Sequence, residues 1–176
     1  MTSDASTKRK PRWRRWLLDA AIVLAVFIGL QLWFTRDGVR GNLPALPGAL
    51  IAQPALDAQA WRAQHGGDGF VLYVWATWCG VCKAIEGNIN DLSQRAPLLT
   101  VAMQSGAESQ VQRHLVSRQH GWATLNDPDG SLARQLGVGA VPTLFFIDRH
   151  GRVRSVTQGY TTTLGLHARL AWARLF

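Results

Sequence analysis

Residues 70 to 76 read Phe-Val-Leu-Tyr-Val-Trp-Ala, seven apolar or aromatic residues without interruption. A run this short and this rich in β-formers predicts a central strand buried on both faces. From about residue 50 onward, similar apolar runs alternate with helical patterns, which places the chain in the α/β class. Directly after this strand, past Thr77 and Trp78, stand Cys79 and Cys82, the only two cysteines among 176 residues.

The pair is not needed as a staple. A hydrophobic content of 47% suffices for a packed core. Closing a loop of about four residues stabilises by only ~2 kcal/mol in the chain-entropy model, against ~4.7 for a loop of about 100. Two thiolates do not complete a four-thiolate zinc site. His65, His114, His120, His150 and His167 are scattered without ligand spacing, so no metal site is predicted. Redox chemistry is the strongest reading of the pair.

The formal charge of +8 is uneven. Six Lys or Arg against Asp4 and Asp19 give residues 1 to 19 half of it, and charges of both signs alternate afterwards. Nucleic-acid binding would need basic residues grouped with aromatic platforms on a folded face, and no such run follows residue 19. The basic head, residues 1 to 15, precedes an apolar stretch from Trp16 to Phe34, 19 residues long. As a helix this measures about 28 Å, close to the ~30 Å hydrocarbon thickness. Asp19 and Gln31 lie near its ends, and Trp13, Trp16 and Trp33 stand where interfacial aromatics are expected. Six basic residues before the stretch, with Arg36 and Arg40 closely after it, predict a cytoplasmic tail, a transmembrane anchor at 16–34 and an exported C-terminal part. The rival reading is a cleavable signal peptide, but no A-x-A-like site follows at the usual distance. Gly38, Gly41, Gly48, Pro44 and Pro47 make residues 35 to 49 a linker without regular structure, and residues 50 to 176 the folded domain.

Within the domain, Asp57 is the expected N-cap of a short helix. A helix from about Cys79 to Arg95 presents Ile85, Ile89 and Leu92 inward. Residues 98 to 104 form a second buried strand. Ser105 to Glu108 is a capping-box pattern before a helix that buries Val111 and Leu115. A short strand near 123–125, a turn at "NDPDG", a short helix ended by Gly137, a hairpin around "RHG" and a closing helix from Thr163 complete the pattern.

"WCGVCK" at a strand-to-helix junction resembles the thioredoxin active site, and "GVGAVPTLFF" resembles the thioredoxin segment around its cis-proline, here Pro142. The extra helix and strand at about 106–126 resemble the insertion of membrane-anchored, periplasmic TlpA/ResA-type proteins. "WATWCGVCK", "TVAMQSG" and "NDPDG" look most like the suppressor-of-copper-sensitivity D branch of that family. The resemblance implies a thioredoxin fold with an inserted helix–strand element, preceded by one transmembrane helix. It implies a thiol-disulfide oxidoreductase that needs no cofactor, acts on client proteins with disulfides and draws electrons from a transmembrane donor.

Placing Cys79 at a helix start lowers its pKa through free N–H groups and the helix dipole, which makes it the expected nucleophile. Cys82, one turn on, is the expected resolving thiol. Gly80 is expected to permit a sharp turn, with Val81 completing the dipeptide between the thiols. The resemblance implies a cis Val141–Pro142 bond, with the Val141 backbone open to an extended client. Trp78 is the expected client-facing aromatic and Trp75 a core residue. Tyr73 stands where thioredoxin carries a buried acid, and Ile85 where ResA-type proteins carry a glutamate. Glu86, one residue later and turned by ~100°, is the remaining candidate proton acceptor; its alternative is an exposed helix charge. Two other functions fit the residues: a reductant dedicated to apocytochrome c, and a non-enzymatic copper holder, since two soft thiolates suit Cu(I).

Overall fold

The computed structural model describes residues 16–23, 25, 26, 29, 41–51 and 53–176. The chain divides into two units, Met1–Arg36 and Asp37–Phe176. In the first, the described residues are helical and exposed. No helix among the described residues is long and apolar enough to cross a membrane. The basic tail and part of the expected anchor lie outside the described residues.

The second unit is an eight-stranded mixed sheet with helices on both faces. Its strands are β1 (Gly41–Asn42), β2 (Ala49–Leu50), β3 (Gln53–Asp57), β4 (Phe70–Trp75), β5 (Leu98–Met103), β6 (Ala123–Asp127), β7 (Thr143–Ile147) and β8 (Arg152–Gln158). They lie in the order β1-β8-β7-β4-β5-β6-β2-β3. β4 is central, as its apolar run requires, and all six of its residues are buried. It pairs in parallel with β5 and antiparallel with β7. The inserted segment supplies α4 (Glu108–Ser117) and β6, which extends the sheet in parallel beside β5.

Two apolar layers sandwich the sheet. One holds Tyr73, Trp75, Cys79, Cys82, Ile85, Ile89 and Leu166. The other holds Trp61, Leu72, Val74, Leu132 and Phe145, under α1 (Ala58–His65) and α5 (Ser131–Gln135). Asp57 caps α1 as expected, accepting the Ala60 N–H at 2.7 Å. The closing helix α6 (Thr163–Arg174) buries Leu166 and Leu170.

Three expectations change. Of the stretch expected to be a linker, the described residues 41–49 enter the fold: Gly41 and Asn42 pair with Val153 and Arg152, and Leu43 and Leu46 are buried. Its glycines and prolines punctuate short strands, and the edges of the sheet supply the missing partners. The helix expected over 79–95 is two, α2 (Gly80–Ala84) and α3 (Glu86–Ser93), divided at Ile85. The Ile85 N–H approaches the carbonyls of both Val81 and Cys82. The apolar stripe survives the break, because Ile85, Ile89 and Leu92 all remain buried. Finally, Ser105 does not cap α4. Gly106, at φ +89°, turns the chain, and the N-cap is Ala107, whose N–H donates to Gln110 Oε1 at 2.8 Å.

Candidate active site

At the C-terminal end of β4 the chain leaves the sheet through Ala76, Thr77 and Trp78. Cys79 takes an extended conformation (φ −80°, ψ 109°) and caps α2. Cys79 and Cys82 form a disulfide with Cα atoms 5.2 Å apart. The Cys82 N–H donates to Cys79 Sγ at 3.0 Å, so a helix-start amide already points at the sulfur expected to carry negative charge. The two cysteines are almost equally buried, 5% and 3% exposed, while the neighbouring Trp78 and Val81 are 59% and 43% exposed. The disulfide thus lies at the edge of an apolar patch.

Gly80 does not make the turn. It is the first residue of α2, its φ is not positive, and an added Cβ would meet nothing within 4 Å. The change of direction occurs at Cys79, in a conformation open to any residue.

The Val141–Pro142 bond is cis. It brings the Val141 carbonyl oxygen to 3.6 Å from Cys79 Sγ. Around it, the Ala140 carbonyl accepts from Thr143 Oγ1 at 2.7 Å and Gln158 Nε2 at 2.9 Å, and the Pro142 carbonyl accepts the Gly159 N–H at 2.8 Å. Val141 itself makes no backbone hydrogen bond among the described residues. Its carbonyl faces the disulfide from the unpaired backbone just before β7.

A brace from β5 was missed at the sequence level. The Thr77 N–H donates to Ser105 Oγ at 3.0 Å, and Trp78 Nε1–H donates to the Gln104 carbonyl at 3.0 Å. Gln104 has φ +46°, and its N–H donates to the Asp127 carbonyl at 2.7 Å. The proximity of "TVAMQS" to the β4 end in a parallel pair was the only available signal.

Beneath the disulfide, Tyr73 is buried, with its ring edge-on to Trp122 at 5.7 Å. Burial, reinforced by the Glu86 charge, pushes its phenol well above the usual range, so the position of thioredoxin's acid holds a neutral group. Glu86 is not an exposed helix charge. Its Oε2 lies 3.0 Å from Arg118 Nη2 and 3.6 Å from His120 Nε2, both in the connection between α4 and β6. His120 is buried and stacked on Trp122 at 3.8 Å. Burial lowers its pKa despite the opposing pull of Glu86.

Residues 52–156 match the model of the AhpC/TSA family. The chain belongs to that family. It is 30% identical over 154 residues to the thiol:disulfide interchange protein DsbE of Escherichia coli strain K12, covering 80% of this chain and 83% of that one. It is 35% identical over 107 residues to a thioredoxin-like protein of Haemophilus influenzae, covering 60% of this chain and 64% of that one. The thiol-disulfide oxidoreductase ResA of Oceanobacillus iheyensis is 27% identical over 150 residues, covering 83% of this chain and 78% of that one. The fold is shared with a thioredoxin-family thiol:disulfide interchange protein of Chlorobium tepidum, at a TM-score of 0.62 and 18% identity, covering 78% of this chain and 99% of that one. With its CxxC pair at the strand–helix junction, this member of the family is a thioredoxin-like thiol-disulfide oxidoreductase.

Proposed function

We propose that residues 16–34 anchor the chain in the cytoplasmic membrane and that the domain works in the periplasm, reducing or isomerising the disulfides of client proteins. The observation that carries the client-directed reading is the Cys79–Cys82 disulfide lying against the unpaired backbone of Val141. An extended client segment adds along Val141 by strand addition, with Trp78 and Val81 as its apolar floor. The anchor is supported by the exposed apolar side chains of Trp16, Leu17, Leu18, Ile22, Val23 and Val26 on helical residues.

In the reduced enzyme the Cys79 thiolate accepts the Cys82 N–H and attacks one sulfur of the client disulfide. The mixed disulfide forms, and the first client thiolate leaves and takes a proton. The Cys82 thiolate then attacks Cys79 Sγ, closing the Cys79–Cys82 disulfide and expelling the second client thiolate. Two electrons pass to the client. A dithiol on a transmembrane donor restores the enzyme by the same exchange in reverse. Glu86, held by Arg118 and His120, is the carboxylate nearest in sequence to Cys82 and serves as its proton acceptor.

Cys82→Ala tests this reading. It leaves attack intact and removes release, so covalent complexes with clients accumulate through Cys79 and vanish with reductant on a gel. Cys79→Ala traps far fewer. Apocytochrome c as the sole trapped client would identify a dedicated reductant. A folded Cys82→Ala protein that traps nothing, while either substitution abolishes Cu(I) binding, would overturn the oxidoreductase mechanism in favour of a copper holder.

A further inference from the structure

The chain enters its domain at the end opposite the disulfide. β4 begins at Phe70, opposite Ile147 of β7, and ends where Val74 faces Thr143, beside Val141 and Cys79. The β7–β8 turn therefore marks the far pole. Gly41 and Asn42 join the sheet there, against Val153 and Arg152, and the Leu43 N–H donates to the Gly151 carbonyl at 3.0 Å. α6 runs to the same pole, where Asp68, Arg149, Arg174 and Phe176 line one shallow cavity of about 250 Å³.

This pole is basic and aromatic. Arg149, Arg152 and Arg174 are exposed. Arg154 stands 4.2 Å from the centroid of the Phe176 ring. Three acids lie by these arginines: Asp68 lines the cavity, Asp91 is paired with Arg95 and His167, and the carboxylate of Asp148 is buried and bonded to Arg152 and Arg154. Beside the arginines, Trp172, Leu175 and Phe176 are 53%, 73% and 38% exposed. Arginines next to exposed aromatic and aliphatic side chains match a lipid headgroup surface, where the charges meet phosphates and the aromatics sit at the interface.

The length of chain before β1 selects the occupant. If residues 16–34 span the bilayer, residues 35–40 alone separate it from β1. Six residues reach at most about 20 Å when fully extended. The basic pole, where the chain enters, is thus held within reach of the headgroups. We propose that this pole docks on anionic phospholipid headgroups through Arg149, Arg152, Arg174, Trp172, Leu175 and Phe176. Docking turns the Cys79–Cys82 disulfide away from the membrane toward clients. The proposal rests on the anchor reading.

The test uses the full chain with Cys79→Ser and Cys82→Ser, bearing one fluorescent label and inserted into vesicles of phosphatidylglycerol and phosphatidylcholine with a headgroup-attached quencher. One sample is labelled through His150→Cys at the basic pole. The other is labelled through Gly139→Cys near the disulfide, where an added Cβ meets nothing within 4 Å. The label at 150 should be quenched more strongly than that at 139. The difference should collapse at roughly 0.5 M salt, where charges are screened within a few ångströms. Arg149→Glu and Arg174→Glu should each lower the docked-to-free ratio by at least roughly fivefold. Equal quenching of the two labels in a chain that co-floats with the vesicles overturns the docking and leaves the anchor standing. A chain that does not co-float overturns the anchor and the docking together.

Discussion

Ser105 Oγ accepts the Thr77 N–H at 3.0 Å and itself donates to the Met103 carbonyl at 3.0 Å, tying the end of β5 to the turn that carries Cys79. Ser105 is buried, so its removal leaves the Thr77 amide without its protein acceptor. Ser105→Ala should cost about 1–3 kcal/mol in denaturant unfolding. It should also slow exchange at Cys79, because the turn that positions the thiol loses its fixed point. Unchanged stability and exchange would show that the brace is dispensable.

Trp78 is the exposed aromatic next to the disulfide, held by one hydrogen bond to the Gln104 carbonyl. Trp78→Ala loses that single bond and little packing, so stability should change by less than about 1.5 kcal/mol. Exchange with a disulfide-containing peptide should slow, while exchange with a small-molecule disulfide should not. Equal slowing of both would make Trp78 a support for the thiol and not part of the client surface.

Leu46 is 3% exposed although it lies in a Pro- and Gly-rich segment. Leu46→Ala should destabilise the domain by about 2–5 kcal/mol, as for other buried leucines. A free tether would tolerate the change. Denaturant midpoints of the two proteins separate these outcomes.

Asp148 is buried at the base of the β7–β8 turn. Burial alone would raise its carboxyl, but the Arg152 amide, the Arg154 guanidinium and the His150 amide outweigh it and hold the pKa at about 2. The unfolded carboxyl titrates near ~3.9. The native state therefore gains from this group above about pH 4 and loses the gain as pH falls toward 2. Asp148→Asn should cost about 1.5–3 kcal/mol at neutral pH, the range for hydrogen bonds to a charged group. The gap between the two proteins should narrow across that acid window in pH-dependent unfolding. A gap independent of pH would exclude ionisation as its source.

The α/β class, the central position of β4 and the inner faces of α4 and α6 were legible because each rests on local apolar patterning, and the β7–β8 hairpin because "RHG" separates two β-forming runs. The cysteine pair was legible because no structural need explains it. Pro142 was legible through its resemblance to the thioredoxin segment. Tertiary structure decided what depends on distant partners. Leu43 and Leu46 are core residues because β8 and β6 offer edges to the strands around them. Ser105 left its capping role because the Thr77 amide, 28 positions away, claims its hydroxyl. Glu86 is half-buried because the connection after α4 brings Arg118 and His120 to it. Gly80 is unstrained because the chain turns one residue earlier. A sequence specifies which faces must be buried, since that follows from side-chain spacing along one element. Which polar group meets which is set only when separate elements pack, because a hydrogen bond or ion pair is made between atoms and not between patterns.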